Sequence, residues 1–405
     1  MVEAAVGKVP PPSRDLSRRV GVIGVGETDY HADYAAERAR APGYEPPEVE
    51  DLCRTAFERA LADSGLARED IDGISCSFTY GGPPPAEMAR LLGLKARYAI
   101  GNGNIMAGPL PVVAADIAAG KADCVAMIYS VASRAIGRQY GGATYAGTVG
   151  AAPSSYYYHL PWGWSSQAAH WALMFTHYRH EYGAREEDLA EVAIQVRQNA
   201  SRYPNAVMQK PITVQDYMAS RYIVRPLHLF DLCLVNDGAV CLIVSRAEPA
   251  KGMSPALVAG WGEAKVEGRK LHAMVRERLR PQIREAGRQA LDMAGLSLAD
   301  VGHFEGYDAS TIHLVNQLEG LGFVEPGRGL AFAAEGGMGV GGKLPTNTAG
   351  GNLSGSYMHG WSQVAEAVRQ VRGRAGPRQV ARRDASLFSL AQTDQCHPLI
   401  FVPGE

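Results

Sequence analysis

FERALADSGLAREDIDGI (Phe57–Ile74) and GRQALDMAGLSLADVGHF (Gly287–Phe304) read as two copies of one unit. They share Ala60 with Ala290, Leu61 with Leu291, Gly65 with Gly295, Leu66 with Leu296 and Asp70 with Asp300. In each, an amphipathic helix stops at a glycine, which accepts the left-handed conformation at a helix end, and an acidic turn then leads into a strand. The first copy predicts a helix over Glu48–Ser64 and a strand over Ile71–Phe78. Helix, stop, turn and strand recurring in one order predict an α/β fold built by duplication of a half.

A second echo lies further along each half. NGNIMAGPLPVVAADIAAG (Asn102–Gly120) is a glycine-broken loop entering a helix, with Pro109 and Pro111 tolerable in its first turn. A strand over Cys124–Tyr129 follows. Its counterpart is TNTAGGNLSGSYMHGWSQVAEAVRQVRG (Thr346–Gly373), where Gly360 takes the place of Gly108. The first part is too polar and glycine-rich to hold a helix or strand, whereas Val364, Ala367, Val368 and Val371 fall on one helix face. A loop therefore delivers Tyr357, Met358 and His359 to a helix N-terminus, whose unpaired N–H groups favour an anion or a developing oxyanion. The two helix entrances are expected to face each other across one cleft, with the Thr346–Gly373 loop as the active-site loop.

The remaining sequence sets limits. In 405 residues, Lys plus Arg number 40 against 42 for Asp plus Glu, so net charge recruits neither nucleic acid nor an anionic membrane. No apolar run is long enough for a membrane span and no signal-peptide core is visible, so a soluble, cytoplasmic protein is expected. Six cysteines without a CxxC spacing read as reduced, mostly buried hydrophobes, and no metal is expected. Residues 1–16, with PPPS, are expected as a disordered tail, 17–250 as the first half and 251–405 as the second. The strand VGVIG (Val20–Gly24) runs into Gly26, but the polar stretch beyond lacks the helix that a dinucleotide-binding turn requires. Residues 133–225, rich in Tyr and Trp, are read as an insertion that covers an apolar ligand or a subunit interface, with plain packing as the alternative. Helices are expected in it over Gln167–Tyr182 and Glu186–Tyr203. Asp237 and Gly238 are read as a structural turn before a buried strand.

NDGAVCLIV (Asn236–Val244), LEGLGF (Leu318–Phe323), NTAGG (Asn347–Gly351) and HGWSQVAEAVRQVRG (His359–Gly373) occur in one order along a chain matched from Arg19 to Val402. Together they resemble the thiolase superfamily, and in particular its branch of thiolase-like lipid-transfer proteins and steroid side-chain acyl-CoA aldolases. The resemblance implies a five-layer α-β-α-β-α sandwich of two duplicated halves. It also exposes departures. The thiolase cysteine of the C-x-x-G segment falls in Ile105, Met106, Ala107, Gly108, and the histidine of GHP falls at Tyr357. The asparagine or histidine of NEAF or HDCF falls at Tyr307, and the stretch Ser389–Gln392 has no C-terminal cysteine.

A phenol with an ordinary pKa near ~10 can donate to an oxyanion and, if tuned downward, exchange a proton with a hydroxyl. Retro-aldol cleavage of a β-hydroxyacyl-CoA needs that equipment and no nucleophile. The resemblance implies acid and base roles for Tyr307 and Tyr357, with the backbone near Gly351 and Ser356 lining the oxyanion side. His359 is assigned to orienting Tyr357 or binding a CoA phosphate, with a helix-cap role as the alternative, and Asp308 to supporting the tyrosines. Coenzyme A enters as part of the substrate, with no tightly bound cofactor. The same branch implies a homodimer joined by a small zinc-ribbon and OB-fold partner into a heterotetramer. Two other readings stay open: an acyltransferase using a displaced nucleophile such as Cys396, read as lying in a QCHP loop, and a non-catalytic lipid-transfer or structural subunit.

Overall fold

Gly24 and Gly26 lie inside the strand Val20–Glu27, where a Cβ would stand 2.4 Å from the Ala60 carbonyl oxygen and 2.0 Å from that of Ala56. Gly260 and Gly262 repeat this in the second half, with Cβ positions 2.2 Å from the Ala290 carbonyl oxygen and 2.1 Å from that of Ala286. Both glycine pairs thus let a strand press directly onto a helix backbone, which is the reason for Gly-x-Gly here. The duplication read from sequence is a duplication of packing.

The computed structural model describes residues 8–40, 43–77, 82–101, 108–132, 134, 166–247, 254–265, 276–392 and 395–404. Its strands are β1 (Val20–Glu27), β2 (Gly73–Cys76), β3 (Tyr98–Gly101), β4 (Cys124–Val131), β5 (Tyr222–Val224), β6 (Leu227–His228), β7 (Gly238–Arg246), β8 (Ala256–Trp261), β9 (Ala264–Lys265), β10 (His303–Gly306), β11 (Ser386–Gln392) and β12 (Gln395–Pro403). The helices are α1 (Tyr30–Ala39), α2 (Val49–Ser64), α3 (Pro85–Leu91), α4 (Pro109–Ala118), α5 (Ala168–Tyr182), α6 (Glu186–Ala200), α7 (Val214–Ala219), α8 (Arg276–Ala294), α9 (Thr311–Leu321), α10 (Gly329–Ala334) and α11 (Trp361–Val371).

From β1 outward the first half runs β1-β7-β4-β2-β3, and from β8 the second runs β8-β12-β11-β10. The two orders match strand for strand, and β1 meets β8 through Gly21–Leu257 and Val22–Ala256. The place of β3 in the second half is taken by a bridge from Thr346 to Phe304. Helix α2 packs outside β1, β7 and β4, and α8 outside β8 and β12. Helix α11 touches β1 and β7 of the first half and β8, β10, β11 and β12 of the second, so it packs against both halves of the sheet. Its Val364, Ala367, Val368 and Val371 are wholly buried. Burying each valine stabilises the fold by about 1.5–3 kcal/mol relative to exposure, so this helix is fixed from both sides. The fold is the expected thiolase-like α/β sandwich.

Four expectations need correction. A helix, α1, does follow β1, against the expectation that the polar stretch after Gly26 lacks one. The tail is tied down from Val9: Trp261 Nε1 donates to the Pro10 carbonyl at 2.9 Å, and Val9 and Leu16 pack on the core. Helices α5 and α6 are core rather than insertion, because Phe175, Tyr178, Leu189, Val192 and Val196 are buried in the main hydrophobic cluster. The most aromatic part of that stretch, SYYYHLPWGW (Ser155–Trp164), lies outside the described residues. Finally, Cys396 sits within β12, opposite Ala391 of β11, and is wholly buried.

Candidate active site

Strand β10 ends at Gly306, and Tyr307 leaves it with both backbone groups held. Its N–H donates to the Ser389 carbonyl on β11 at 2.8 Å, and its carbonyl accepts from the Gln317 amide of α9 at 2.8 Å. The loop before α11 is folded around this strand end. Asn347 accepts from the Gly306 N–H at 2.8 Å and donates to the Gly306 carbonyl at 2.9 Å. Buried Asp308 then accepts the Asn352 N–H at 2.7 Å and the Gln363 amide at 3.0 Å. A Cβ on Gly351 would come within 2.2 Å of the Asp308 carboxylate, so only glycine fits that turn.

Beyond the turn, Asn236 holds the loop from the first half of the chain. Its Oδ1 accepts the Tyr357 N–H at 2.8 Å and its Nδ2 donates to Ser356 Oγ at 3.0 Å. The result brings the Tyr307 and Tyr357 hydroxyls to 3.2 Å, where either can donate to the other. Tyr307 is wholly buried, while Tyr357 keeps part of its surface open.

His359 is the third expected residue, and its ring lies 4.5 Å from that of Tyr357. Its backbone is left-handed, with φ 48°, a conformation that costs a non-glycine residue energy and must be held by its surroundings. The Tyr129 hydroxyl of β4 is hydrogen-bonded with His359 Nδ1, and its ring stacks on Trp361 at 5.7 Å. Gly360 then caps α11. The matching cap of α4 is Gly108, whereas Ile105, Met106 and Ala107 lie outside the described residues.

Electrostatics give the direction of the Tyr357 shift. Burial, then the neighbouring Tyr307 and Cys233, push the Tyr357 phenol well above the ordinary phenol range rather than below it. Tyr357 is therefore protonated near neutral pH, a donor rather than a ready base. Burial likewise pushes the Asp308 carboxyl up to about 8. Under the loop, Glu366 pairs with Arg378 through two hydrogen bonds of 3.0 and 2.9 Å and is held down to about 2 despite its burial.

The other expected residues are placed as follows. The Ser356 N–H donates to the Gly351 carbonyl at 3.0 Å inside the loop, and the Tyr357 N–H is taken by Asn236 from the first half of the chain, so both are occupied. Cys396 has its thiol pushed up to about 12 by burial, and His397 is the next residue on a strand, where neighbouring side chains point to opposite faces. That disposition does not make a nucleophile and base. Cys233, not Cys396, is the thiol beside Tyr357, and burial pushes it too up to about 12. Asn236, Tyr129 and Gln363 were not singled out from sequence. Only Asn236 carried a signal, standing beside the Asp-Gly turn that was read as structural.

Comparison with known proteins places the chain in a family. Residues 264–392 match the thiolase C-terminal domain-like family. The steroid side-chain-cleaving aldolase of Thermomonospora curvata is 37% identical over 88% of this chain and 91% of its own length. The 17-hydroxy-3-oxo-4-pregnene-20-carboxyl-CoA lyase of Mycobacterium tuberculosis is 33% identical over 88% of this chain and 92% of its own. Among solved structures, an Ltp2-ChsH2(DUF35) aldolase superposes with a TM-score of 0.81 and 29% identity, covering 96% of this chain and 99% of that one. Fold and site define a thiolase-fold protein, and the chain belongs to the thiolase superfamily. Within it the chain groups with these aldolase and lyase relatives and is a carbon–carbon lyase. No helix among the described residues is long and apolar enough to cross a membrane.

Proposed function

We propose that the chain cleaves the side chain of a steroid or bile-acid β-hydroxyacyl-CoA by a retro-aldol reaction, releasing a ketone and propionyl-CoA or another short acyl-CoA. The observation that carries the reading is the pair of tyrosine hydroxyls 3.2 Å apart on clamped backbones. The β-hydroxyl loses its proton as the Cα–Cβ bond breaks, its oxygen becomes the ketone, and the bonding pair passes into a thioester enolate. The enolate α-carbon then takes a proton. One proton thus moves from oxygen to carbon, no water is consumed, and neither tyrosine is changed. Two neutral phenols suit this: one accepts the hydroxyl proton as it passes its own to the other, which supplies the α-carbon. The upward shift of Tyr357 fits such a relay better than a standing phenolate.

His359 orients Tyr357 in this reading. Coenzyme A is part of the substrate, and the chain works in the cytoplasm as a homodimer joined by a small zinc-ribbon and OB-fold protein. The two-component name of the superposable aldolase supports such a partner. Residues 17–250 and 251–405 act as the two halves of the fold, as the matching strand orders support. The acyltransferase reading loses ground with the burial of Cys396, and a carrier has no use for paired proton donors.

The test is product analysis with a 17-hydroxy steroid acyl-CoA, with and without the partner, for wild type and Tyr357→Phe. Ketone and short acyl-CoA released by wild type and not by the variant is the expected result. CoA-dependent acyl exchange without C–C cleavage would replace the lyase by an acyltransferase; silence in both assays would leave a carrier.

A further inference from the structure

We propose that Tyr129 is a positioning residue for the cleavage reaction: its hydroxyl fixes the tautomer and ring plane of His359 and, through that ring, the place of Tyr357. The inference rests on the retro-aldol reading above for its kinetic consequence, but its structural content is independent of the substrate.

Tyr129 comes from the first half of the chain and His359 from the second, 230 positions apart, and both are buried where they meet. Tyr129 is wholly buried, and its ring is held by stacking on Trp361 at 5.7 Å and 22°. The hydroxyl therefore has a fixed direction. It meets His359 Nδ1, while the same imidazole stands edge-on to the Tyr129 ring at 5.5 Å. A phenol O–H is a stronger donor than a neutral imidazole N–H, so it donates and Nδ1 accepts, which leaves the imidazole proton on Nε2.

Only a few non-glycine residues among those described have φ as positive as His359. That backbone is unfavourable by itself, and the bond from Tyr129 is a side-chain contact that opposes its relaxation. The stake is Tyr357, two residues earlier, whose ring lies 4.5 Å from the imidazole and whose hydroxyl must stay within reach of Tyr307. The charge of Tyr129 bears on the Tyr357 phenol only after burial, Tyr307 and Cys233, and its positioning effect runs through His359.

The experiment joins a spectroscopic and a kinetic readout on the full chain with its partner. Chain labelled with 15N-histidine is examined by long-range proton–nitrogen correlation, with the His359 signals assigned by their loss in His359→Gln. Wild type is expected to show the Nε2-protonated tautomer, and Tyr129→Phe, which keeps the stacked ring, to lose that preference. In steady-state assays Tyr129→Phe is expected to lower kcat by about tenfold or more with KM changed less than about twofold, the signature of a misplaced reacting group. Added to His359→Gln, the same substitution is expected to cost nothing further. An Nδ1-protonated His359 in wild type overturns the proposal without any variant having to fold. So do an unchanged tautomer in Tyr129→Phe, or losses that simply multiply in the double variant. Absence of lyase activity in wild type would count against the function proposed above, while the tautomer would still judge the role of Tyr129.

Discussion

The Tyr307 and Tyr357 hydroxyl oxygens stand 3.2 Å apart, one carried at the end of β10 and the other in the loop before α11. If the two act as one relay, Tyr307→Phe and Tyr357→Phe should each lower kcat by about 100-fold or more. The double variant should lose little beyond the worse single, because residues that act as a unit are not additive. Stability should fall by only about 1 kcal/mol in each, the worth of one hydrogen bond. Steady-state kinetics and denaturant melts of the three variants check both statements.

Asn236 reaches the loop from 121 positions away in sequence and accepts the Tyr357 N–H at 2.8 Å. Asn236→Ala removes that acceptor and the donor to Ser356 Oγ. The expected result is a kcat lowered by about tenfold or more with a small change in KM, because a loosened loop misplaces the phenol without removing it. A variant with wild-type kcat would show that the loop is held without Asn236.

Glu366 and Arg378 form a buried pair. Glu366→Gln leaves the guanidinium buried without its counter-charge and should cost about 3–5 kcal/mol. The carboxyl is held down to about 2 in the folded chain, below its unfolded value near ~4.3, so its contribution is present above that value and lost as pH falls toward 2. Urea midpoints of wild type and variant should therefore differ most near neutral pH and converge in acid. A gap that widened in acid would reverse the assignment.

Gly26 and Gly262 should tolerate no side chain. A Cβ placed 2.0 or 2.1 Å from a helix carbonyl forces strand and helix apart, so Gly26→Ala and Gly262→Ala should each destabilise by about 3 kcal/mol or more. Thermal melts of both would show equivalent effects if the two halves are packed alike. Cys396→Ala is the contrasting case. It removes a buried sulfur from β12, with a cost of about 1 kcal/mol, and should leave kcat intact.

The duplicated frame was legible because its signals are local. The glycine stops at Gly65 and Gly295 and the apolar stripe of α11 lie within a few residues of the structure they specify. Tyr357 was legible from its setting among glycines, and Tyr307 from its place in the resemblance. Asn236 and Tyr129 were not, because what makes them matter is a partner more than a hundred positions away. Cys396 was read as lying in a QCHP loop, whereas Pro398, two residues on, lies inside β12 and its carbonyl accepts the Gly262 N–H at 3.2 Å. The direction of the Tyr357 shift also escaped sequence, since burial and the neighbouring Tyr307 and Cys233 exist only in the folded chain.

The central claim is C–C cleavage with net transfer of a proton to the α-carbon. The most direct measurement is mass spectrometry of the products when the chain and its partner act on a 17-hydroxy steroid acyl-CoA in deuterium oxide. Equimolar ketone and short acyl-CoA, the latter carrying one deuterium at its α-carbon, is the predicted result. Intact substrate, or acyl transfer to free CoA without a ketone, would contradict it.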